Sequence, residues 1–401
     1  MNKPLEKSQS VYTQCIHGYE MEEFPYRAMS MPIVQSSNFT FDNISQVMEA
    51  MGSDEDDYVY TRGGNPTIKV FEQLMATLEK GKYAVGFSSG MGAISSVIMS
   101  LLEAGDEIII NHTLYGNTFN FVTKTLKQYG IHHKIVDLQK TKDLESYISP
   151  ATKVIYFESP DNPLLGVIDI EKVCEIAKKH DLKVVIDNTF ATPYHQNPLQ
   201  LGVDVVVHSA SKYICGHGDV VGGVAISNDK GYIDRLRFQY MCLFGSVISP
   251  FDAWLLIRGL KTFSARMERH NKNAQKVVEF LLDHPKIEKV YYPGIETEPS
   301  YDIAKKQMKN GFGGIVSFEI KGSYEDAVRF VEHVNLSKLA VSLGDCDTLV
   351  EVPVVMTHKG YSQSVLDSMG IKENLIRMSI GLEDSDDIIN DISEGLAAIR
   401  Q

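Results

Sequence analysis

Between Asp204 and Gly223 the chain reads DVVVHSASKYICGHGDVVGG, an apolar β-branched run that ends in Ser209, Ser211 and Lys212 and passes into a glycine-rich loop. A lysine at the end of a buried strand is solvated, paired or chemically bonded. Partial desolvation weakens an amine's preference for its charged form and makes it a nucleophile toward carbonyls. Asp187 follows KVVI directly, so its carboxylate emerges at a sheet rim with its strand buried behind it. There it either caps a turn or serves as a fixed negative charge that keeps a heterocyclic nitrogen protonated. Gly90 stands in SGMGA, a turn that opens a helix, where free N–H groups and the positive end of the helix dipole suit a phosphate. The same turn is half of a dinucleotide fingerprint, but Ser95 occupies the place of the third glycine and no ribose-reading acid follows about 20 residues on.

An aldehyde cofactor with a phosphate tail and a ring nitrogen uses every one of these groups, and pyridoxal 5′-phosphate (PLP) meets that description. Lys212 is then expected to hold it as an imine, and the Gly90 turn with Ser209 and Ser211 to bind its phosphate. Asp187 keeps the ring charged so that it acts as an electron sink. Two other classes compete. A nicotinamide dehydrogenase also has an α/β sheet and a Gly-x-Gly turn, yet it does not need a lysine between two serines. A structural or regulatory protein on the same scaffold is expected to lack the lysine or the aspartate.

The elements that must position these groups begin at TIKVFEQLMATLEK, residues 67–80, which has helical spacing, followed by a short strand at 83–89. Strands at 107–112, 153–159, 183–188, 203–209 and 221–227 alternate with helices at GAISSVIMSLLEAG, FNFVTKTLKQYG and IEKVCEIAKKHD. Uniformly apolar strands separated by helices predict a mostly parallel sheet covered on both faces, with ligands at the carboxyl ends of the strands. From about residue 255 a long helix over 253–284, a strand at 315–320 and helices at 324–334 and DIINDISEGLAAIR read as α+β. The expected organisation is an α/β chain with an N-terminal arm over 1–62, a cofactor-binding domain over 63–256 and a smaller α+β domain over 257–401. The arm, with an acidic break at 53–58, looks irregular and without a core of its own, so it is expected to pack on another element or a neighbouring subunit.

With 39 basic and 52 acidic residues the net charge is −13, and no basic stripe is present, which argues against nucleic acid and anionic membranes as partners. Five scattered cysteines, none in a C-x-x-C pair, argue against a disulfide framework or a metal cage. No signal-like N-terminus and no apolar run of about 18 residues is present, so the expected setting is the cytoplasm.

The motifs YTRGGNPT, SSGMGAI, LYGNT, ESPDNP, VIDNTFATP, HSASKYICGHGDVVGG, RGLKTF, AVSLGD, MTH and IRMSIGLED, in this order, give the chain a resemblance. It resembles the transsulfuration, or Cys/Met-metabolism, branch of fold-type-I PLP enzymes, from about residue 30 to the C-terminus. The resemblance implies Lys212 as the Schiff-base lysine and Asp187 as the pyridinium partner. It implies Tyr115 as the ring-stacking tyrosine that assists proton transfer, with Gly90, Met91, Ser209 and Ser211 around the phosphate and ring. Tyr60 and Arg62 match a pair that reaches the phosphate of the neighbouring subunit, and Arg377 matches the arginine that forks onto the substrate carboxylate. It further implies a homotetramer of two catalytic dimers acting on a small amino-acid substrate. The expected reaction is γ-elimination from methionine or homocysteine, giving a thiol, a 2-oxo acid and ammonia. The alternatives are a cystathionine γ- or β-lyase and an O-acetylhomoserine sulfhydrylase. Val341, before Ser342, stands where cystathionine-gripping members usually carry glutamate and favours a short thioether; Asn117 stands where methionine γ-lyases usually carry cysteine.

Other residues have blander readings. His132 and His133 read as solvated surface, since no third metal ligand stands at a plausible spacing. His217 and Asp219 read as hydrogen-bonding partners of the loop backbone, Trp254 as core, and His358 as a packing residue.

Overall fold

The computed structural model describes residues 10–19, 24–52, 58–359 and 361–399. Its larger sheet has seven strands, β1 (Tyr83–Phe87), β2 (Glu107–Asn111), β3 (His132–Val136), β4 (Thr152–Glu158), β5 (Lys183–Asp187), β6 (Val205–Ser209) and β7 (Gly223–Ser227), in the order β1-β7-β6-β5-β4-β2-β3. β7 pairs antiparallel with both neighbours, and the remaining pairings are parallel. The strands are apolar because helices cover both faces: one buried cluster gathers Phe71, Ile155, Val184 and Val206, the other Val97, Ile108, Val154 and Val185. Because β1, β4, β5 and β6 share a direction, their carboxyl ends deliver Ser89, Glu158, Asp187 and Ser209 to one rim.

A second sheet of five strands, β8 (Ile287–Tyr291), β9 (Ile315–Ile320), β10 (Lys338–Leu339), β11 (Leu349–Glu351) and β12 (Leu375–Ser379), has the order β10-β11-β12-β9-β8. Its own core contains Val316, Phe318, Phe330, Ile376 and Ile392. The fold class is thus the expected α/β type, with a mostly parallel sheet and a second, separate sheet.

Three expectations need correction. The helix expected over 253–284 is two, Pro250–Leu260 and Phe263–Leu282. At the break the Thr262 hydroxyl and Arg266 Nη2 both donate to the Gly259 carbonyl, at 3.2 and 2.9 Å, and Gly259 lies so close to Cys215 that a Cβ would stand 2.4 Å from its carbonyl oxygen. The arm is also less irregular than its composition indicates. A helix at Val11–His17 buries Cys15 in the chain's own core, and Gly18 accepts from the Thr77 hydroxyl at 2.7 Å. Trp254 is only half-buried and donates from its indole to the Met31 carbonyl at 2.9 Å, tying the arm down. Most of the acidic break at 53–58 lies outside the described residues. No described helix is long and apolar enough to cross a membrane.

Candidate active site

Asp187 is the last residue of β5 and is 9 % exposed. It accepts from the Thr189 amide at 2.9 Å and from the Thr189 hydroxyl. Burial raises its pKa, opposed by those two donors and by the nearby His208 and Lys212. Behind it stands a pair that sequence reasoning missed: His208 Nε2 lies 2.7 Å from Glu79 Oε1, both side chains fully buried, and Asn188 donates to the same oxygen at 2.7 Å.

Lys212 leaves the turn after β6, and its Nζ donates to the Ser342 hydroxyl at 2.6 Å. Its pKa falls from 10.5 to about 8, first through burial and then through the positive charge of Arg377, with Glu351 and Asp187 pulling the other way. It is therefore an amine with a usable neutral fraction at neutral pH.

The anion cradle forms where the helix Gly90–Leu101 starts. Ser89 caps it by accepting from the Gly92 amide at 2.9 Å, which leaves the Gly90 and Met91 amides as the helix's first donors, with no carbonyl a turn earlier. Glycine is required by close approach: a Cβ on Gly90 would lie 2.8 Å from that of Ser209, and one on Gly223 would lie 2.2 Å from the Ser89 carbonyl oxygen. Ser209 presents a half-buried hydroxyl beside Gly90, and Ser211 accepts from the Gly222 amide at 2.9 Å.

Tyr115 precedes the short helix Gly116–Asn120 and is 36 % exposed. Its amide donates to Glu158 Oε1 at 2.8 Å, and its phenol oxygen accepts from Asn117 Nδ2 at 3.0 Å. Burial raises the phenol's pKa, and the Asn117 hydrogen bond moderates the rise. Met91, on the cradle helix, accepts from the Thr118 hydroxyl at 3.8 Å. Glu158 stands directly across from Asp187 in the β4–β5 register. Burial, and then the Asp187 charge, push its pKa well above the usual carboxylate range. Of the two facing buried carboxyls, Asp187 has the two Thr189 donors that favour its charged form, while Glu158 accepts from the Tyr115 amide.

Arg377 comes from β12 and is 3 % exposed. It donates from Nη1 to Asn162 Oδ1 at 2.8 Å and from Nη2 to the Ser342 carbonyl at 3.1 Å, and Nη2 pairs with Glu351 at 3.1 Å. Val341 is 56 % exposed next to this junction.

Lys212, Asp187, Gly90, Ser209, Tyr115, Asn117, Ser342 and Arg377 are thus brought together by direct bonds, register pairs or charge interactions, while Met91 bonds to Thr118 and Ser211 to Gly222. Tyr60 and Arg62 are not joined to them: both are exposed, Arg62 lies over the Tyr60 ring at 5.4 Å, and neither bonds to Lys212, Asp187 or Ser209. His217 hydrogen-bonds the Cys215 carbonyl at 2.7 Å, Asp219 accepts instead from the Cys215 thiol at 3.0 Å, and His358 is buried against Tyr361. The amine, the buried carboxylate and the glycine-walled cradle fit an aldehyde cofactor with a ring nitrogen and a phosphate.

Residues 12–397 match the profile of the family described as Cys/Met metabolism PLP-dependent enzyme. The chain is 46 % identical over 395 residues to L-methionine gamma-lyase of Fusobacterium nucleatum subsp. polymorphum, covering 98 % of this chain and 99 % of the relative. It is 44 % identical over 388 residues to cystathionine beta-lyase of Lactococcus lactis subsp. cremoris, covering 96 % and 99 %. The solved structure of cystathionine gamma-lyase from Lactobacillus plantarum complexed with L-serine superposes with a TM-score of 0.91 at 41 % identity, covering 98 % and 99 %.

Proposed function

Because the chain belongs to the Cys/Met-metabolism family of PLP-dependent enzymes, we propose that it is a carbon–sulfur lyase performing γ-elimination on methionine or homocysteine. The products are a thiol, 2-oxobutanoate and ammonia. The observation that carries this reading is the junction at Ser342: its hydroxyl receives Lys212 at 2.6 Å and its carbonyl receives Arg377 at 3.1 Å. One residue therefore holds the base and the carboxylate anchor in fixed relation.

PLP, when bound, supplies a carbonyl for the substrate's nitrogen and an electron-withdrawing ring that stabilises charge at Cα. Arg377 takes the substrate carboxylate with its planar fork. The neutral amine of Lys212 would receive the Cα proton and, once it has given that proton up and is neutral again, a Cβ proton. Tyr115, steadied by Asn117, gives a proton to the sulfur leaving Cγ. Asp187 presents its charge to the ring nitrogen, while the Gly90 and Met91 amides with Ser209 and Ser211 hold the phosphate.

Val341 supports a short thioether, because it is apolar and exposed beside Ser342 and offers no charge to a distal ammonium. The likeness to a cystathionine beta-lyase keeps cystathionine as the second reading. Turnover across methionine, homocysteine, cystathionine and O-acetylhomoserine tests the choice. Methionine or homocysteine is expected to be fastest, and preferred turnover of cystathionine overturns it.

The exposed Tyr26, Met29, Ile44, Met48 and Met51 of the arm, with Tyr60 and Arg62 nearby in sequence, support assembly into a homotetramer in which the arm serves a neighbour's phosphate site. Chains carrying Arg62→Ala, mixed with chains carrying Lys212→Ala, are then expected to regain activity that neither has alone. The absence of a membrane-crossing helix among the described residues agrees with a cytoplasmic setting.

A further inference from the structure

Glu351 and Arg377 face each other in the antiparallel register of β11 and β12, and their side chains meet at 3.1 Å. Both are almost fully buried, at 1 % and 3 % exposure. The Thr357 hydroxyl anchors Glu351 Oε1 at 2.8 Å, and Asn162 and the Ser342 carbonyl anchor the two Nη atoms of Arg377. What remains is one buried donor and one buried acceptor without a partner among the described residues, Arg377 Nε and Glu351 Oε2. Unpaired buried groups of this kind are costly, and side chains this firmly held do not turn away to satisfy them.

The pair stands where the substrate must arrive. Arg377 Nη2 donates to the Ser342 carbonyl at 3.1 Å and the Ser342 hydroxyl receives the Lys212 amine at 2.6 Å, so one residue separates the pair from the amine. A carboxylate alone would be a poor guest, since it brings a second negative charge beside Glu351. A free α-amino acid carries a carboxylate and an ammonium one carbon apart, which matches a donor and an acceptor offered by two side chains in contact.

We propose that Glu351 reads the α-ammonium of the incoming substrate, so that Arg377 and Glu351 together form a bipolar socket for a free amino acid. The idea rests on the assignment of Arg377 to the substrate carboxylate. It makes Glu351 a specificity-determining residue that discriminates substrate from product, because the 2-oxo acid released by the reaction has the carboxylate but no ammonium. Expulsion of the product and entry of the next substrate then follow from the same charge.

The test uses the holoenzyme and two ligands, L-methionine as substrate and 4-(methylsulfanyl)butanoate, its counterpart without the amine, as inhibitor. In E351Q, which keeps the shape and an acceptor for Arg377, the KM for methionine is expected to rise about tenfold with kcat within about threefold, while the Ki of the deaminated acid falls. The ratio of that Ki to that KM therefore drops by at least about tenfold, and a drop smaller than about threefold overturns the proposal. E351D retains the charge and is expected to retain most of the discrimination; if it loses as much as E351Q, charge is not what is read and the proposal fails. R377A separates the premise: if it leaves the Ki of the deaminated acid unchanged, the assignment of Arg377 fails whatever E351Q does.

Discussion

Ser342 accepts the Lys212 amine at 2.6 Å while its own backbone holds a φ of 102°, a conformation that residues with a side chain rarely adopt. The chain keeps a serine where a glycine would be less strained. The hydroxyl and the carbonyl of this residue serve the two ends of the site, which is a reason for the strain to persist.

Ser342→Ala and Ser342→Gly separate the two contributions. Both remove the acceptor from the lysine, so both are expected to lower the amine's pKa further, since the lost hydrogen bond favoured the ammonium. Only glycine relieves the backbone, so Ser342→Gly is expected to be more stable than Ser342→Ala by about 1–2 kcal/mol in denaturant titrations. Equal stability of the two variants removes the strain argument.

The depressed pKa of Lys212 has a measurable pH signature. Only the neutral amine attacks an aldehyde, and a group at about 8 gains its neutral fraction as pH rises through 8 rather than through its ordinary 10.5. In protein stripped of cofactor, the rate at which yellow absorbance returns on adding PLP is expected to climb between pH 6 and 8, by roughly fiftyfold, and then to level off. A rate still climbing tenfold per unit beyond pH 9 contradicts the assignment.

The facing carboxyls Glu158 and Asp187 are expected to respond oppositely to amide substitution. Burial raises the Glu158 pKa and favours its neutral form, which the amide of Glu158→Gln reproduces. Its kcat/KM is expected to stay within about threefold of the parent, with loss of an infrared band for a protonated carboxyl. Asp187→Asn removes the charge proposed to face the ring nitrogen and is expected to cost at least about 100-fold. A Glu158→Gln variant with a displaced pH–rate profile shows that Glu158 was ionised.

The residues legible in the sequence are those whose chemistry is announced locally. Lys212 and Asp187 each terminate an apolar run, and Gly90 opens a helix after a strand, so their strands name the rim on which they stand. The alternation of β2, β4, β5 and β6 with helices was visible for the same reason. Residues defined by distant partners were not. His208 sits mid-strand and finds Glu79 across 129 positions, and Gly259 is a glycine because its helix meets the Cys215 carbonyl. Glu158 and Glu351 carried a usable signal, a lone carboxylate ending an otherwise apolar strand, which is the signal that singled out Asp187.

On the proposed mechanism, Asn117 is expected to act on the leaving group through Tyr115. Its amide donates to the phenol oxygen at 3.0 Å and is the main influence holding the phenol's pKa down against burial. The phenol must give up a proton to the departing sulfur and be reprotonated, so an amide donor that stabilises the phenolate favours the donation. The helix bearing Asn117 cannot shift to compensate, because Gly116 already lies so close that a Cβ there would stand 2.5 Å from the Thr357 carbonyl oxygen. Asn117→Ala is therefore expected to move the alkaline limb of the kcat profile to higher pH and to lower kcat by about 3- to 10-fold, leaving the KM for methionine nearly unchanged. A purely steric role predicts the reverse, a changed KM with the alkaline limb in place. Rescue by Asn117→Gln of the pH profile but not of kcat would show that the donor matters for the proton and its position for the rate.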